Sequence, residues 1–238
     1  MDRFQAVNPI GTTQAQIDEG LRAHMNRIYA YMAGAMLITG AVAYLSSTSL
    51  ALMQLIYATP LQWVVMLAPL GVVFLLSARI NKMSPSGAQT TFWIFSGLMG
   101  LSISYIFLVY TGYSIVHTFL VTAIAFAGLS LWGYTTKKDI SGWGSFLIMG
   151  LIGIILASLV NLFFALPGLS FAISILGVLI FAGLTAYDTQ RLKNEYLHFA
   201  TRGDELWLQK SAILGSLSLY LNFLNLFLLL LHLFGQRE

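Results

Sequence analysis

An aspartate that closes an apolar run is the first place in this chain to look for chemistry. The stretch Leu179–Lys193, LIFAGLTAYDTQRLK, is apolar up to Tyr187–Asp188 and then carries Arg191 and Lys193. Asp188 is the only acidic residue lying inside or against a long hydrophobic segment. An ionisable side chain there is expensive and points to function by default. Two readings fit the spacing. In one, Asp188 sits at the membrane surface and Arg191, one helical turn away, neutralises it. In the other, the carboxylate attracts cations or senses protons in an aqueous path.

The last apolar run favours the second reading. Asn222 and Asn225 interrupt SLSLYLNFLNLFLLLLHLF. An amide in hydrocarbon needs a hydrogen-bond partner, so both should face other helices rather than lipid. Depth is the difficulty. Counting about 1.5 Å per residue, Asn222 lies about 18 Å from Lys210, whereas Asp188 falls nearer the basic edge. The two meet only if the sixth span tilts or the seventh helix begins before the bilayer does.

Other chemistry is sparse. His117 and His232 sit singly near span ends, where packing or anchoring is their usual role. There is no H-x-x-x-H pair and no cluster of Asp, Glu and His to hold a transition metal. Cysteine is absent, which excludes disulfides and thiolate sites.

The elements that must position Asp188 are membrane helices. Of the 238 residues, 58% are hydrophobic and only 9% charged, against roughly 25% charged in soluble domains. Seven apolar segments follow one another: Ile28–Ser46, Leu61–Ala78, Phe92–Tyr110, Ser114–Gly133, Gly144–Ala165, Leu169–Ala186 and Ala212–Phe234. The fold class is therefore all-α, a polytopic membrane protein with seven transmembrane helices. Residues 1–26 form a polar segment with a short amphipathic helix. There Thr13-x-x-Gln16 fits a capping box, and Ile17, Leu21, Met25 and Ile28 share one face. This helix is expected to lie in the interface, and it is not a signal peptide. Residues 27–235 form the membrane domain and 236–238 a tail. Leu50–Tyr57 is too short to cross and should lie in the interface. Pro69 should kink the second span.

Arg3, Arg22 and Arg27 precede the first span, Arg79 and Lys82 follow the second, Lys137 and Lys138 the fourth, and Arg191, Lys193, Arg202 and Lys210 the sixth. The connections after the first, third and fifth carry no Lys or Arg. By the positive-inside rule the amino terminus is cytoplasmic. Seven crossings put the carboxyl terminus outside, and a re-entrant last segment would keep it inside. Trp93, Trp132 and Trp143 fall at the inner interface and Trp63 at the outer one. Ala30, Gly34, Gly150 and Gly153 suit close helix packing. The net charge of +3 is no sign of nucleic-acid binding, because the cations sit in short loops beside spans.

Leu129–Gly153 (LSLWGYTTKKDISGWGSFLIMGLIG), Ala186–Lys193 (AYDTQRLK) and Ser218–Gly235 (SLYLNFLNLFLLLLHLFG) together resemble the transmembrane Bax inhibitor motif family, in the manner of a bacterial inner-membrane member. The resemblance runs from Tyr29 to Gly235. It implies a seven-helix fold with the last helix central, and a pH-responsive calcium leak. It also implies an aspartate pair as pH sensor, one acid on the sixth helix and one on the seventh. Asp188 matches the first acid. Asn222 stands where the second should be, in LYLNF rather than LYLDF. Two close carboxylates share a proton and separate when it leaves, whereas an Asp–Asn pair has no such repulsion. Arg79 is similar to the family's arginine at the inner end of the second helix, a counter-charge for Asp188.

The resulting expectation is a passive Ca²⁺ conduit. Asp188 would be its gate and transient ion ligand, Asn222 a hydrogen-bonding latch and Arg79 a counter-charge, with Asn225, Arg191 and Tyr187 as secondary members. No cofactor is expected, and calcium enters only as permeant ion. A competing reading is a non-conducting regulator that binds another membrane protein, such as a membrane-anchored protease, through the amino-terminal helix. An enzyme is not expected. Tyr187–Asp188 is similar to the YD of intramembrane aspartyl proteases, but that chemistry needs two acids, and no G-x-S-x-G elbow is present.

Overall fold

The structure, a computed structural model, describes residues 14–200 and 204–237. Its helices are α1 (Gln14–Ser47), α2 (Leu50–Tyr57), α3 (Leu61–Arg79), α4 (Pro85–Ile103), α5 (Ile106–Val109), α6 (Gly112–Thr135), α7 (Trp143–Phe164), α8 (Pro167–Ala200) and α9 (Glu205–Phe234), with a 3₁₀ turn at Ile80–Lys82. Seven are long and apolar enough to cross a membrane, α4 and α5 together making one span. The apolar pattern dictates this: with no water in hydrocarbon, each segment must satisfy its backbone within itself.

Burial along the spans sorts centre from periphery. Half of the apolar window of α9 is buried, against 11% in α3 and 6% in α7. The last helix packs against α8, α1, α6 and α4, so it is the central one. Tyr220 and Leu219 on α9 are fully buried, and the Tyr220 ring meets Phe92 and Phe95 of α4 edge-on. The Tyr220 hydroxyl hydrogen-bonds Thr39 Oγ1 at 2.7 Å, and that threonine donates to the Ser96 carbonyl.

Four local findings add to the sequence reading or differ from it. First, the amphipathic stretch and the first span are one continuous helix. Ile17, Leu21, Met25 and Ile28 are all buried. The inner end of α1 lies against α8, where the His24 and Tyr196 rings meet at a tilt, centroids 5.0 Å apart. The apolar stripe is used within the protein rather than laid on lipid. Thr13 of the capping box lies outside the described residues.

Second, the third span breaks at Ser104–Tyr105, between α4 and α5. A break inside a membrane leaves carbonyls without partners. The Tyr57 hydroxyl at the end of α2 lies within hydrogen-bond reach of the Leu101 and Ser102 carbonyls (3.0 and 3.2 Å) and of Ser104 Oγ (3.1 Å). Met53 and Ile56 are buried beneath it. The short helix is thus a plug against the break as well as a link between spans. Third, Pro69 lies within α3, which is one helical element on both sides of it.

Fourth, the small residues divide. A Cβ on Gly150 would come within 2.6 Å of Ile180, and one on Gly34 within 3.1 Å of Trp93, as close packing demands. Gly153 has nothing within 4 Å and Ala30 is exposed, so neither serves that role. The tightest approach to a neighbour's backbone is one the sequence did not single out. A Cβ on Gly133 of α6 would overlap the Ala186 carbonyl of α8.

Candidate functional site

Asp188 lies well inside α8, which runs on twelve residues beyond it to Ala200. Thr185, Ala186, Asp188, Thr189 and Gln190 are all buried, which marks this as the part of α8 most enclosed by neighbours. Asp188 retains only 7% exposure. Its two carboxylate oxygens have separate partners. Asn222 Nδ2 on α9 donates to Oδ2 at 2.7 Å, and Arg191 Nη2 lies 3.0 Å from Oδ1. Arg191 is half-exposed and also reaches Ser218 Oγ on α9, at 3.4 Å. A buried carboxylate is held by one amide from the facing helix and one cation from its own.

The depth difficulty resolves through helix length. The ninth helix begins at Glu205, seven residues ahead of the apolar run at Ala212. It and α8 therefore extend beyond the apolar zone as a helical pair, and Asn222 comes level with Asp188. Charged and polar residues 187–200 and 205–211 are helical although hydropathy alone ends the spans before them.

Among the remaining candidates, the structure brings none to the carboxylate. Arg79 is exposed at the end of α3, a helix that packs on α4, and forms no ion pair among the described residues. Where the resemblance implies Arg79 as counter-charge, the geometry supplies Arg191. Asn225 donates to the Leu221 carbonyl of its own helix at 2.8 Å, a bond that satisfies one N–H of the amide without any neighbour. Tyr187 points to α7, where a Cβ on Gly144 would come within 2.5 Å of its hydroxyl.

The surrounding polar residues tie the loops and helices to this part of α8. Gln190 accepts from the Ile140 backbone N–H (2.9 Å) and donates to the Lys138 carbonyl (2.8 Å), fixing the α6–α7 connection against α8. In that connection Asp139 accepts from the Ser141 N–H, which holds its exposed carboxyl below the ordinary range. Lys193 donates to the Tyr134 carbonyl at 2.9 Å and sits 5.2 Å from that tyrosine's ring centroid. A chain of hydroxyls, Tyr29–Ser130–Thr189, links α1 through α6 to α8 beside Asp188. These residues were missed in the sequence because isolated Ser, Thr and Gln in apolar runs carry no spacing signal. Among the described residues, no three His, Asp or Glu side chains come together to hold a metal ion.

Seven membrane-spanning helices packed around a central one, with a clamped carboxylate between the last two, define a polytopic helical membrane protein. Comparison with known proteins gives the family. The family model described as "Inhibitor of apoptosis-promoting Bax1" matches residues 21–238, and the chain belongs to this Bax inhibitor-1-like family. It is 45% identical, over the whole of both chains, to the inner membrane protein YbhL of Escherichia coli (strain K12). It is also 44% identical to a protein of Caulobacter vibrioides, over 95% of this chain and 94% of that one. A Rickettsia prowazekii protein, RP147, is 43% identical over 93% and 92% of the two chains.

Proposed function

We propose that this protein is a passive calcium leak in a bacterial inner membrane, gated at Asp188, with its amino terminus in the cytoplasm. The observation that carries this reading is the 2.7 Å hydrogen bond from Asn222 to Asp188 across the α8–α9 interface. An ionised carboxylate withdrawn from water is costly unless donors satisfy it. Two donors of different kinds do so here, and both must be displaced before a cation can take their place. The basic helix ends supply the orientation, which sets Asp188 toward the cytoplasmic mouth.

The donor set suits passage rather than storage. Calcium takes six to eight oxygen ligands. The Asp188 carboxylate and the Asn222 carbonyl oxygen supply few of them, so water must complete the shell. Opening separates α9 from α8 and frees the acid to attract an ion. Since one partner is an amide, no like-charge repulsion drives separation, and the latch holds with Asp188 ionised.

Calcium flux through purified protein in liposomes, followed with an entrapped indicator, tests this. Asn222→Ala removes the latch and leaves the acid. Its leak should rise about tenfold, as expected for loss of one hydrogen bond of about 1.4 kcal/mol. Asp188→Asn removes the charge and should drop flux below the parent level. Asn222→Asp sets two carboxylates face to face. Below the pair's upper titration they share a proton and stay closed; above it they repel. Flux through this variant should rise with pH, where the parent's stays flat. Unchanged flux in both Asn222→Ala and Asp188→Asn would remove the gate from Asp188.

A further inference from the structure

Helices α1 and α6 do not close on each other. Between them runs a cleft of about 1150 Å³, floored by Phe223 of the central helix and open sideways. Its walls are apolar almost throughout, with Met32, Met36, Ala33 and Ala123 typical of them. One end differs: Arg22 and Asn26 line it there. The two hydroxyl groups further in, Tyr29 and Ser130, already bond to each other and onward to Thr189. Arg22 and Asn26 instead form no side-chain hydrogen bond or ion pair among the described residues. Tyr134, which also lines the cleft, has Lys193 5.2 Å from its ring centroid.

We infer that this cleft is a binding site for one anionic phospholipid, its phosphate held at Arg22 and Asn26 and an acyl chain laid along the α1–α6 groove. Three features commit the site to that occupant. The groove opens sideways from spans that cross a membrane, so hydrocarbon is the medium against it. Its polarity is that of a lipid, apolar along its length and basic at one end, and it offers no donor to a chain lying in it. Its length fits too. From Arg22 to Ala41 the lining of α1 spans about 28 Å at 1.5 Å per residue, more than the ~15 Å of hydrocarbon in one leaflet. A lipid with its phosphate at Arg22 therefore fills the half of the groove that includes Ala33 and Ala123. A guanidinium with free donors is the side chain best matched to phosphate oxygens. The site is independent of whether the protein conducts calcium.

Spin-labelled lipids in phosphatidylcholine vesicles provide the test, by comparing labelled phosphatidylglycerol with labelled phosphatidylcholine in the motionally restricted fraction at the protein. The parent should prefer phosphatidylglycerol several-fold. Arg22→Gln should lose at least half of that preference, whereas Lys82→Gln, at the same membrane face but outside the cleft, should keep it. Ala33→Phe with Ala123→Phe fills the groove and should remove one restricted lipid per protein. Equal loss in Lys82→Gln would mean general surface charge, and an unchanged restricted fraction in the filled variant would mean ordinary exchange at the perimeter. Either result overturns the site. So would a change in the detergent-solubilised mass of the filled variant by sedimentation, since the groove would then hold a second copy of the chain.

Discussion

The Asp188 carboxylate is held by two contacts of unequal weight, because their surroundings differ. Asn222 is buried and donates within the protein, whereas the Arg191 side chain remains 46% exposed. Replacing Asn222 with leucine leaves one carboxylate oxygen facing an apolar group, at a cost of about 1–3 kcal/mol. Replacing Arg191 with glutamine removes a solvent-screened pair worth about 0–1 kcal/mol. Thermal unfolding in detergent should rank Asn222→Leu well below Arg191→Gln, and the reverse order would make the ion pair the principal restraint. At this scale the sequence was informative about Asp188 and Asn222, since charge and amide stand out against apolar neighbours. It offered two cations for the acid: Arg191 by its spacing of one helical turn, and Arg79 by the family resemblance. Only the path of the backbone decides that Arg191 is the one in reach.

At the scale of elements, two contacts hold α6 and α4–α5 in place, and both lead to expected outcomes. Gly133 lets α6 approach the backbone of α8 at Ala186. Gly133→Ala should push the helices apart and cost about 1–3 kcal/mol. Gly153→Ala meets no atom within 4 Å, and it should be neutral or stabilising by up to about 1 kcal/mol, because alanine is the better helix former. Paired melting curves of the two variants make the comparison. Tyr57→Phe removes the hydroxyl that seals the break at Ser104–Tyr105. It should destabilise by about 1 kcal/mol and speed deuterium exchange at residues 104–108 in particular. The break was invisible in the sequence because Ser and Tyr are ordinary residues in membrane helices. The short connections between Tyr110 and Ser114 and between Ala165 and Leu169 were legible, since each apolar segment must end where the next begins.

For the whole molecule, the crossing number fixes which ends lie together. Gln236 follows α9, and its carbonyl accepts from the Thr111 N–H at 3.0 Å while its own N–H donates to Ser114 Oγ at 2.9 Å. Arg237 stacks over Tyr110, 5.8 Å from the ring centroid. The tail thus sits at the α5–α6 turn, the end opposite the α6–α7 connection, and α9 is a full crossing rather than a re-entrant one. Since the chain has no cysteine, single cysteines placed at Gln236 and Lys137 should be labelled by an impermeant thiol reagent from opposite faces of sealed vesicles. Labelling from the same face would require a different path for α9. What the sequence by itself determined was the class of protein, the number of spans and the two polar residues, Asp188 and Asn222, that meet between α8 and α9. Those follow from hydropathy and from the rarity of polar groups in hydrocarbon, which are properties of residues in order. The family resemblance already implied a central α9; tertiary structure alone decided that Arg79 lies away from Asp188 and that α1 and α6 leave a cleft. Helices of similar hydropathy do not differ in where they can pack; side-chain shape and small-residue contacts between segments far apart in the chain make that choice.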